Sequence, residues 1–226
     1  MAGILYLVAT PIGNPEDMTQ RAIRVLREAD VVVFEERKEG ARLLHHLGLE
    51  KVVESLNEHN EAAATSVILD KLNEGKNVAL ISDAGTPVFS DPGRILVRKA
   101  TERRVKIVPI PGASSLMPAL TVSGFPIDQF VFYGFLSPKR NRRLSELQEL
   151  KREKRTVVLM EAPYRLVQLV RDIAEVLGSN RKVCVAFDLT LPTEEIFHGT
   201  AAELYQQFSK TGKKGEFVLI LDSTGA

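Results

Sequence analysis

Residues 78–97 read VALISDAGTPVFSDPGRILV, and this stretch decides the fold. It opens with four apolar residues and passes through twelve residues rich in Gly, Pro, Ser and Asp, 82–93, before a second apolar run at 95–97. A short apolar run bounded by turn residues is typical of a strand that is covered on both faces. The stretch therefore predicts a buried strand, a long polar loop and a helix, in that order.

The same alternation runs through the first half of the chain. The predicted strands are 3–9, 31–35, 77–81 and 105–112, and the predicted helices are 19–30, 41–48, 64–75 and 94–103. Thr19 is a candidate N-cap, because its hydroxyl can accept a hydrogen bond from the first turn of the helix. Strands that alternate with helices predict an open, mainly parallel sheet with helices on both faces.

The second half departs from this rhythm. A helix at 114–124 and a linker-like segment at 125–143, in which Ser137 and Pro138 are predicted to cap a basic helix, lead into further elements. The further strands are 156–160, 182–189, 194–199 and 215–221, and the further helices are 165–178 and 200–209. Two consecutive strands without a helix between them predict a mixed sheet. We therefore expect two α/β domains, residues 1–116 and 117–226.

Composition limits the classes of function. The chain has 30 basic and 29 acidic residues, so no global field marks it as a nucleic-acid binder, and a local patch would be needed. The single cysteine, Cys184, excludes an internal disulfide and lies in an apolar run that predicts a buried strand. No apolar run is long enough to span a membrane, and the start of the chain carries no basic leader. We expect a soluble, cytoplasmic protein.

Three loops rich in Gly and Pro follow predicted strands, at 9–14, 82–93 and 109–115. In an open α/β sheet, ligands bind beyond the carboxyl ends of the strands. The glycines form neither a dinucleotide fingerprint nor a phosphate-binding P-loop, and the four histidines lack metal-ligand spacing. The loops predict a site for a polar small molecule without a metal, although each could be an ordinary tight turn.

Six motifs together resemble one family: LYLVATPIGNPEDMTQRAIRVLREAD, LISDAGTPVFSDPG, IPGASS, SGFP, GFLSPK and MEAPYR. They are similar to the tetrapyrrole methylase superfamily of S-adenosylmethionine-dependent methyltransferases. Within it they resemble the branch that methylates a ribose 2′-oxygen of a cytidine in small-subunit ribosomal RNA. The resemblance implies a two-domain tetrapyrrole methylase-like fold, a cofactor cleft between the domains, and a homodimer.

The resemblance also implies positions for the cofactor. By motif, S-adenosylmethionine would contact Ile12, Gly13, Asp83, Gly85, Thr86, Ser114, Ser115, Met160, Ala162, Leu189, Glu216 and Phe217. Backbone amides and hydroxyls suit a carboxylate, carboxylates suit an ammonium, and apolar residues suit an adenine. Met160 and Phe217 could equally be ordinary core residues of their strands.

Methyl transfer to a ribose hydroxyl requires a proton acceptor near the reacting atoms. Glu36, Asp83, Glu161 and Asp188 each follow a strand, and we predict Asp83 and Glu161 as catalytic residues. Each of the four could instead be a turn or cap carboxylate. Arg165 is predicted to order the loop that follows Glu161 or to contact phosphate.

The chain departs from the ribosomal branch at two places. Relatives carry Thr-Arg-His-Thr after an acidic pair, where this chain has Arg37-Lys38-Glu39-Gly40, and a lysine where it has Leu191. These departures motivate a second hypothesis, a methyltransferase of the same superfamily that acts on a small molecule such as a tetrapyrrole.

An RNA substrate requires contacts to its phosphates. Residues 137–155 are rich in Lys and Arg. We predict that the partner is ribosomal RNA or the small ribosomal subunit, and that the RNA is contacted by Lys139, Arg140, Arg142 and Arg143. The same charges could lie on an ordinary solvated helix. A third hypothesis is a non-catalytic RNA-binding protein with a vestigial cofactor cleft.

Overall fold

The computed structural model describes residues 2–223, which divide after Ser114 into two compact units. The first unit contains β1 (Ile4–Val8), α1 (Gln20–Glu28), β2 (Val31–Phe34), α2 (Arg37–His46), β3 (Val52–Ser55), α3 (Glu61–Asn73), β4 (Val78–Ile81), α4 (Arg94–Glu102) and β5 (Lys106–Ile110). The second contains α5 (Leu116–Ser123), β6 (Phe130–Phe135), α6 (Arg140–Leu150), β7 (Thr156–Met160), α7 (Leu166–Leu177), β8 (Lys182–Phe187), β9 (Glu195–Thr200), α8 (Ala201–Thr211) and β10 (Phe217–Leu221). The division lies two residues before the predicted boundary.

The sheet of the first unit is parallel throughout, in the order β3-β2-β4-β1-β5. Its two faces are covered by separate apolar clusters. Leu5, Leu80, Ile68 and Leu96 belong to one cluster, which involves α3 and α4. The other cluster contains Val8, Val32, Leu26 and Leu44 and involves α1 and α2. The predicted parallel sheet with helices on both faces is confirmed.

The sheet of the second unit has the order β6-β7-β10-β8-β9. Strands β6 and β7 are parallel, and the other three pairings are antiparallel. Helices α6, α7 and α8 cover one face through Leu147, Leu169 and Phe208, while α5 lies against β8 and β10. The predicted mixed sheet is confirmed, and Cys184 is buried in β8 as expected.

Local signals fix several boundaries. The Thr19 hydroxyl accepts a hydrogen bond from Ala22 N at 3.1 Å, which confirms Thr19 as the N-cap of α1. Thr200 and Glu203 form a capping box at the start of α8, where each side chain accepts from the other residue's backbone N–H. Glu61 accepts from the N–H groups of Gly93 and Ile95, both at 2.9 Å, and so caps α4 from a neighbouring helix.

Four boundaries differ from the sequence prediction. Helix α2 begins at Arg37, four residues before the predicted start, and β3 was not predicted. The segment 125–143 contains β6 in addition to a connection. Lys139 is the N-cap of α6, and Ser137 and Pro138 precede the helix, so the predicted cap is wrong by two residues. The apolar pattern of β3 is short and its Val52 is exposed, so periodicity gave little signal.

Candidate functional site

The three predicted loops of the first unit meet beyond the carboxyl ends of its strands. Thr10 N–H donates to Gly85 O at 2.9 Å, and Gly85 N–H donates to Thr10 O at 3.0 Å. The Thr10 hydroxyl donates to Ser82 O at 3.0 Å. The Thr86 hydroxyl donates to Ala113 O at 3.4 Å, which joins the second loop to the third. The structure therefore brings Ile12, Gly13, Asp83, Gly85 and Thr86 to one edge of the sheet.

Close backbone approach explains two of the glycines. Gly85 has a φ of 84°, and a Cβ on it would lie 3.3 Å from the Ile12 side chain. A Cβ on Gly112 would lie 3.0 Å from the Ala9 Cβ. Either side chain would push neighbouring loops apart. The two glycines thus keep a bare stretch of main chain, the kind of surface that a ligand can approach closely.

Carboxylates are concentrated at the same edge. Burial raises the pKa of Asp83, and its Oδ1 accepts a hydrogen bond from Glu36 N at 3.2 Å. Burial also raises the pKa of Glu35 to about 7, helped by the nearby charges of Asp91 and Asp83. Glu35 was missed by the sequence analysis, although an acid directly after the buried run 31–34 was a usable signal. A carboxyl with a pKa near neutrality can accept and release protons under physiological conditions.

The first unit contains a cavity of about 520 Å³ at this edge. Its walls are the loop after β1, the residues 81–84 that follow β4, and one side of α2. The lining includes Ile12, Gly13 and Asp83 from the predicted site. Its volume falls in the range of small-molecule sites in proteins, which is about 300–1,000 Å³.

In the second unit, Glu161 follows β7 and is 3 % exposed. Its Oε1 accepts from Ala162 N at 2.8 Å and from Arg165 Nε at 2.7 Å, and Arg165 Nη2 also contacts it. Its Oε2 is buried without a hydrogen-bond partner among residues 2–223. Arg165 therefore orders the loop through Glu161, one of its two predicted roles. A buried carboxylate oxygen without a donor is costly unless a ligand supplies one.

The loops after β8 and before β10 are joined at the same edge of the second sheet. Asp188 N–H donates to Glu216 O at 2.8 Å, and the Thr193 hydroxyl donates to Asp188 Oδ2 at 2.9 Å. Burial raises the pKa of Glu216, and the Asp188 charge adds to the effect. Leu189 is buried between Asp188 and Thr190, which have φ values of 47° and 70°.

Met160 and Phe217 are strand residues of this edge. Met160 pairs with Phe135 on one side and Val218 on the other, and Phe217 is buried at the start of β10. Ala162 precedes a short 3-10 turn. Leu191, one of the positions at which the chain was predicted to depart from the ribosomal branch, is 36 % exposed in the loop after β8.

Two further features of this edge were not predicted. The ammonium of Lys213 lies 4.4 Å from the ring centre of Phe187 and 4.8 Å from that of Phe197. A Cβ on Gly215 would lie 2.3 Å from the Phe187 ring. The Lys213 ammonium and the close approach of the Gly215 backbone to the Phe187 ring fix the chain just before Glu216. Neither could be predicted, because the residues are distant in sequence.

The predicted serines lie at the junction of the two units. Ser114 is the last residue of the first unit, and Ser115 is the N-cap of α5 in the second. The Ser115 side chain makes no capping hydrogen bond to α5.

The basic segment 139–143 is only partly available to an RNA. Arg143 is 2 % exposed, and its guanidinium contacts Asp172 at 2.8 Å and donates to Ser137 O and Pro138 O. Its prediction as an RNA contact is corrected, since the apolar face of α6 carries it inward. Arg140 pairs with Asp172 and Glu175, whereas Lys139 and Arg142 are exposed.

Within residues 2–223, no group of three or more His, Cys, Asp or Glu side chains could hold a metal ion. None of the helices in that part of the chain has the length and apolar character needed to cross a membrane.

Comparison with known proteins identifies relatives along nearly the whole chain. The model of the Tetrapyrrole (Corrin/Porphyrin) Methylases family matches residues 4–205. The ribosomal RNA small subunit methyltransferase I of Synechocystis sp. is 44 % identical over 97 % of this chain and 78 % of that protein. The protein of the same name from Bacillus subtilis is 40 % identical over 98 % of this chain and 76 % of its own length.

Solved structures show the same fold at lower identity. A cobalt precorrin-4 methyltransferase has a TM-score of 0.68 at 20 % identity, over 99 % of this chain and 96 % of that one. The uroporphyrin-III C-methyltransferase of Thermus thermophilus, solved in complex with S-adenosylhomocysteine, has a TM-score of 0.64 at 21 % identity, over 97 % of both chains. From the family model and the relatives above 40 % identity, the chain belongs to the tetrapyrrole (corrin/porphyrin) methylase family.

Proposed function

We propose that this protein is an S-adenosylmethionine-dependent methyltransferase that modifies small-subunit ribosomal RNA, at the ribose 2′-hydroxyl of a cytidine. The observation that carries the substrate class is the similarity to relatives named ribosomal RNA small subunit methyltransferase I, which extends over 97–99 % of the chain. Solved structures at about 20 % identity support the fold alone.

The residues present fit this cofactor. In the first unit, Gly85 and Gly112 leave main chain uncovered in the loops that follow the strands, and Thr86 adds a hydroxyl there. In the second, the buried Oε2 of Glu161 lacks a donor among the described residues, and a hydroxyl or amine of a ligand would satisfy it. The proposed cofactor contacts remain those assigned from sequence. When bound, S-adenosylmethionine supplies a methyl group already activated on a sulfonium.

Asp83 is the proposed proton acceptor. It lines the cavity of the first unit, and the hydrogen bond from Glu36 N to its Oδ1 holds the side chain in place. Burial raises the pKa of Asp83, which increases the basicity of its carboxylate. The carboxylate would accept the proton of the ribose hydroxyl as the oxygen bonds to the methyl carbon. The bond between that carbon and the sulfonium would break in the same step, with its electron pair remaining on sulfur as a neutral thioether. Glu161 would instead anchor Arg165 and offer Oε2 to a bound ligand.

The remaining parts of the proposal concern assembly and location. An enzyme that acts on ribosomal RNA works where ribosomal subunits are made, so we place it in the cytoplasm. The homodimer that the family resemblance implies is part of the same proposal. Lys139, Arg140 and Arg142 are the proposed RNA contacts at the start of α6, because all three are exposed.

The experiment uses the full chain and small ribosomal subunits from a strain that lacks the gene. Calorimetry measures cofactor binding, and transfer of a labelled methyl group is followed by nuclease digestion and mass mapping of the RNA. The expected product is one 2′-O-methylcytidine. Absence of cofactor binding would favour the non-catalytic RNA-binding alternative, and cofactor binding with an unmodified RNA would favour a small-molecule substrate.

The Asp83→Asn variant tests the proton acceptor. We expect kcat to fall by about 10²- to 10⁴-fold, the usual contribution of a general base. Because Asp83 is also a proposed cofactor contact, the assay is run at saturating S-adenosylmethionine, and calorimetry gives the Kd of the cofactor separately. Asp70→Asn is the matched control, since Asp70 is exposed on α3 and does not line the cavity. An unchanged kcat in Asp83→Asn would exclude Asp83 as the proton acceptor.

A further inference from the structure

Helix α2 forms one side of the cavity in the first unit. Arg42, His45 and His46 line the cavity, and so does one carboxylate of the helix, Glu39. Arg42, His45 and His46 stand at i, i+3 and i+4, so they share one face of the helix.

The loop after β4 contributes a carboxylate to the same cavity. Asp83 lines it together with Ile12 and Gly13 of the loop after β1. Gly40 lines the α2 side, and a Cβ on it would lie 2.2 Å from the Phe34 ring. The helix is therefore held close against the end of the sheet, and its Arg42 shares the cavity with Asp83.

Arg42 is well suited to an external anion. Its side chain is 82 % exposed, and its ion-pair partner among residues 2–223 is Glu39, at 3.9 Å. Such an exposed pair contributes little, typically below about 1 kcal/mol, so a phosphate can displace it at small cost. A guanidinium can also donate two parallel hydrogen bonds to two oxygens of the same phosphate, which makes it a specific partner for that anion.

We propose that this cavity receives the acceptor nucleotide, with Arg42 and the adjacent histidines contacting its phosphates and Asp83 next to its ribose hydroxyl. The assignment rests on the function proposed above and adds the position of its substrate. A ribonucleotide carries both an anion and a hydroxyl-bearing sugar, which suits a lining that contains both a guanidinium and a carboxylate. At about 520 Å³ the cavity can hold one such unit.

The test compares Arg42→Gln with Arg98→Gln. Arg98 is an exposed helical arginine with an i,i+4 glutamate partner, and α4, which carries it, covers the other face of the sheet. Binding of a 12-nucleotide single-stranded RNA that contains cytidine is measured by fluorescence anisotropy over a range of salt. Loss of one phosphate contact should lower the magnitude of the log Kd against log salt slope by about 0.7.

We expect Arg42→Gln to weaken RNA binding about fivefold to tenfold, to reduce the salt slope and to raise the KM for small subunits, with the calorimetric Kd of S-adenosylmethionine unchanged. Arg98→Gln should match the wild type. If Arg42→Gln binds RNA with the wild-type affinity and slope while wild-type protein methylates subunits, the cavity assignment fails and the proposed function stands. A selective loss of cofactor affinity would assign the cavity to the cofactor instead. Failure of the wild type to methylate subunits would refute both the proposed function and the cavity assignment.

Discussion

Replacing Arg143 with methionine should destabilise the second unit and leave RNA binding unchanged. Its guanidinium donates to Asp172 at 2.9 Å and to the carbonyls of Ser137 and Pro138 at 3.0 and 3.2 Å. Removing one partner of a buried ion pair costs about 3–5 kcal/mol, because the other charge stays buried. Arg140 and Arg171 still contact Asp172, each at 3.3 Å, so we expect the lower end, about 3 kcal/mol.

Urea unfolding of three variants measures this value. Arg142→Met is the control, because its side chain is 76 % exposed, and its i,i+4 pair with Glu146 should be worth about 0.5 kcal/mol or less. The double variant Arg143→Met/Asp172→Leu removes both charges and should recover part of the loss. Equal stabilities of Arg143→Met and Arg142→Met, together with weaker RNA binding by Arg143→Met, would refute the structural role and restore Arg143 as an RNA contact.

Two further variants probe the loop edges. Glu35→Gln should stabilise the protein at pH 8 and have little effect near pH 4.5, as urea unfolding at both pH values would measure. The raised pKa of about 7 means that the folded state binds the proton more tightly than the unfolded state, so stability falls as pH rises from 4.5 through 7. The full shift corresponds to roughly 3 kcal/mol, which solvent screening of this partly exposed carboxyl reduces to about 1 kcal/mol. The exposed Glu50→Gln is the control. An equal gain in the free energy of unfolding at both pH values, or the same gain in Glu50→Gln, would contradict the raised pKa of Glu35. Gly215→Ala should destabilise by about 1–3 kcal/mol and weaken cofactor binding in calorimetry, because its Cβ would meet the Phe187 ring. Gly212→Ala, where no atom lies within 4 Å of the added Cβ, should cost about 1 kcal/mol for its φ of 61° and spare cofactor affinity; equal losses in both variants would exclude the clash as the cause.

The fold could be predicted because its signals are local and repeated. Runs such as 78–81 and 156–160 are apolar over their whole length and end at turn residues, so they identify buried strands. Strand β3 escaped prediction because it lies at an edge of the sheet, where only part of each residue is buried. The start of α2 at Arg37 was not predicted because the first turn, 37–40, is mostly charged. Charge does not distinguish an exposed helix turn from a loop.

The candidate site was predictable where its loops follow strands, and less so where contacts are distant. Strand order places the loops after β1 and β4 side by side, which explains why Thr10 and Gly85 bond to each other. The inward direction of Arg143 depends on the buried carboxylate of Asp172, 29 residues away, and no local pattern reports such a partner. The raised pKa of Glu35 also depends on tertiary structure. It comes first from burial and then from the charge of Asp91, which lies far along the chain.

The unfavourable features of this structure are concentrated where the ligand is proposed to bind. Four of the five non-glycine residues with positive φ in the described chain lie in the loops 82–93 and 188–194: Val88, Ser90, Asp188 and Thr190. Each such residue costs about 1–3 kcal/mol, and for a β-branched residue such as Val88 or Thr190 the conformation is rarer still. The acids of raised pKa that lie nearest these loops, Glu35, Asp83, Asp91 and Glu216, are destabilised as well, because burial opposes their ionisation. Strain and buried charge that persist at two loop edges therefore indicate selection for binding and chemistry there, at the expense of stability.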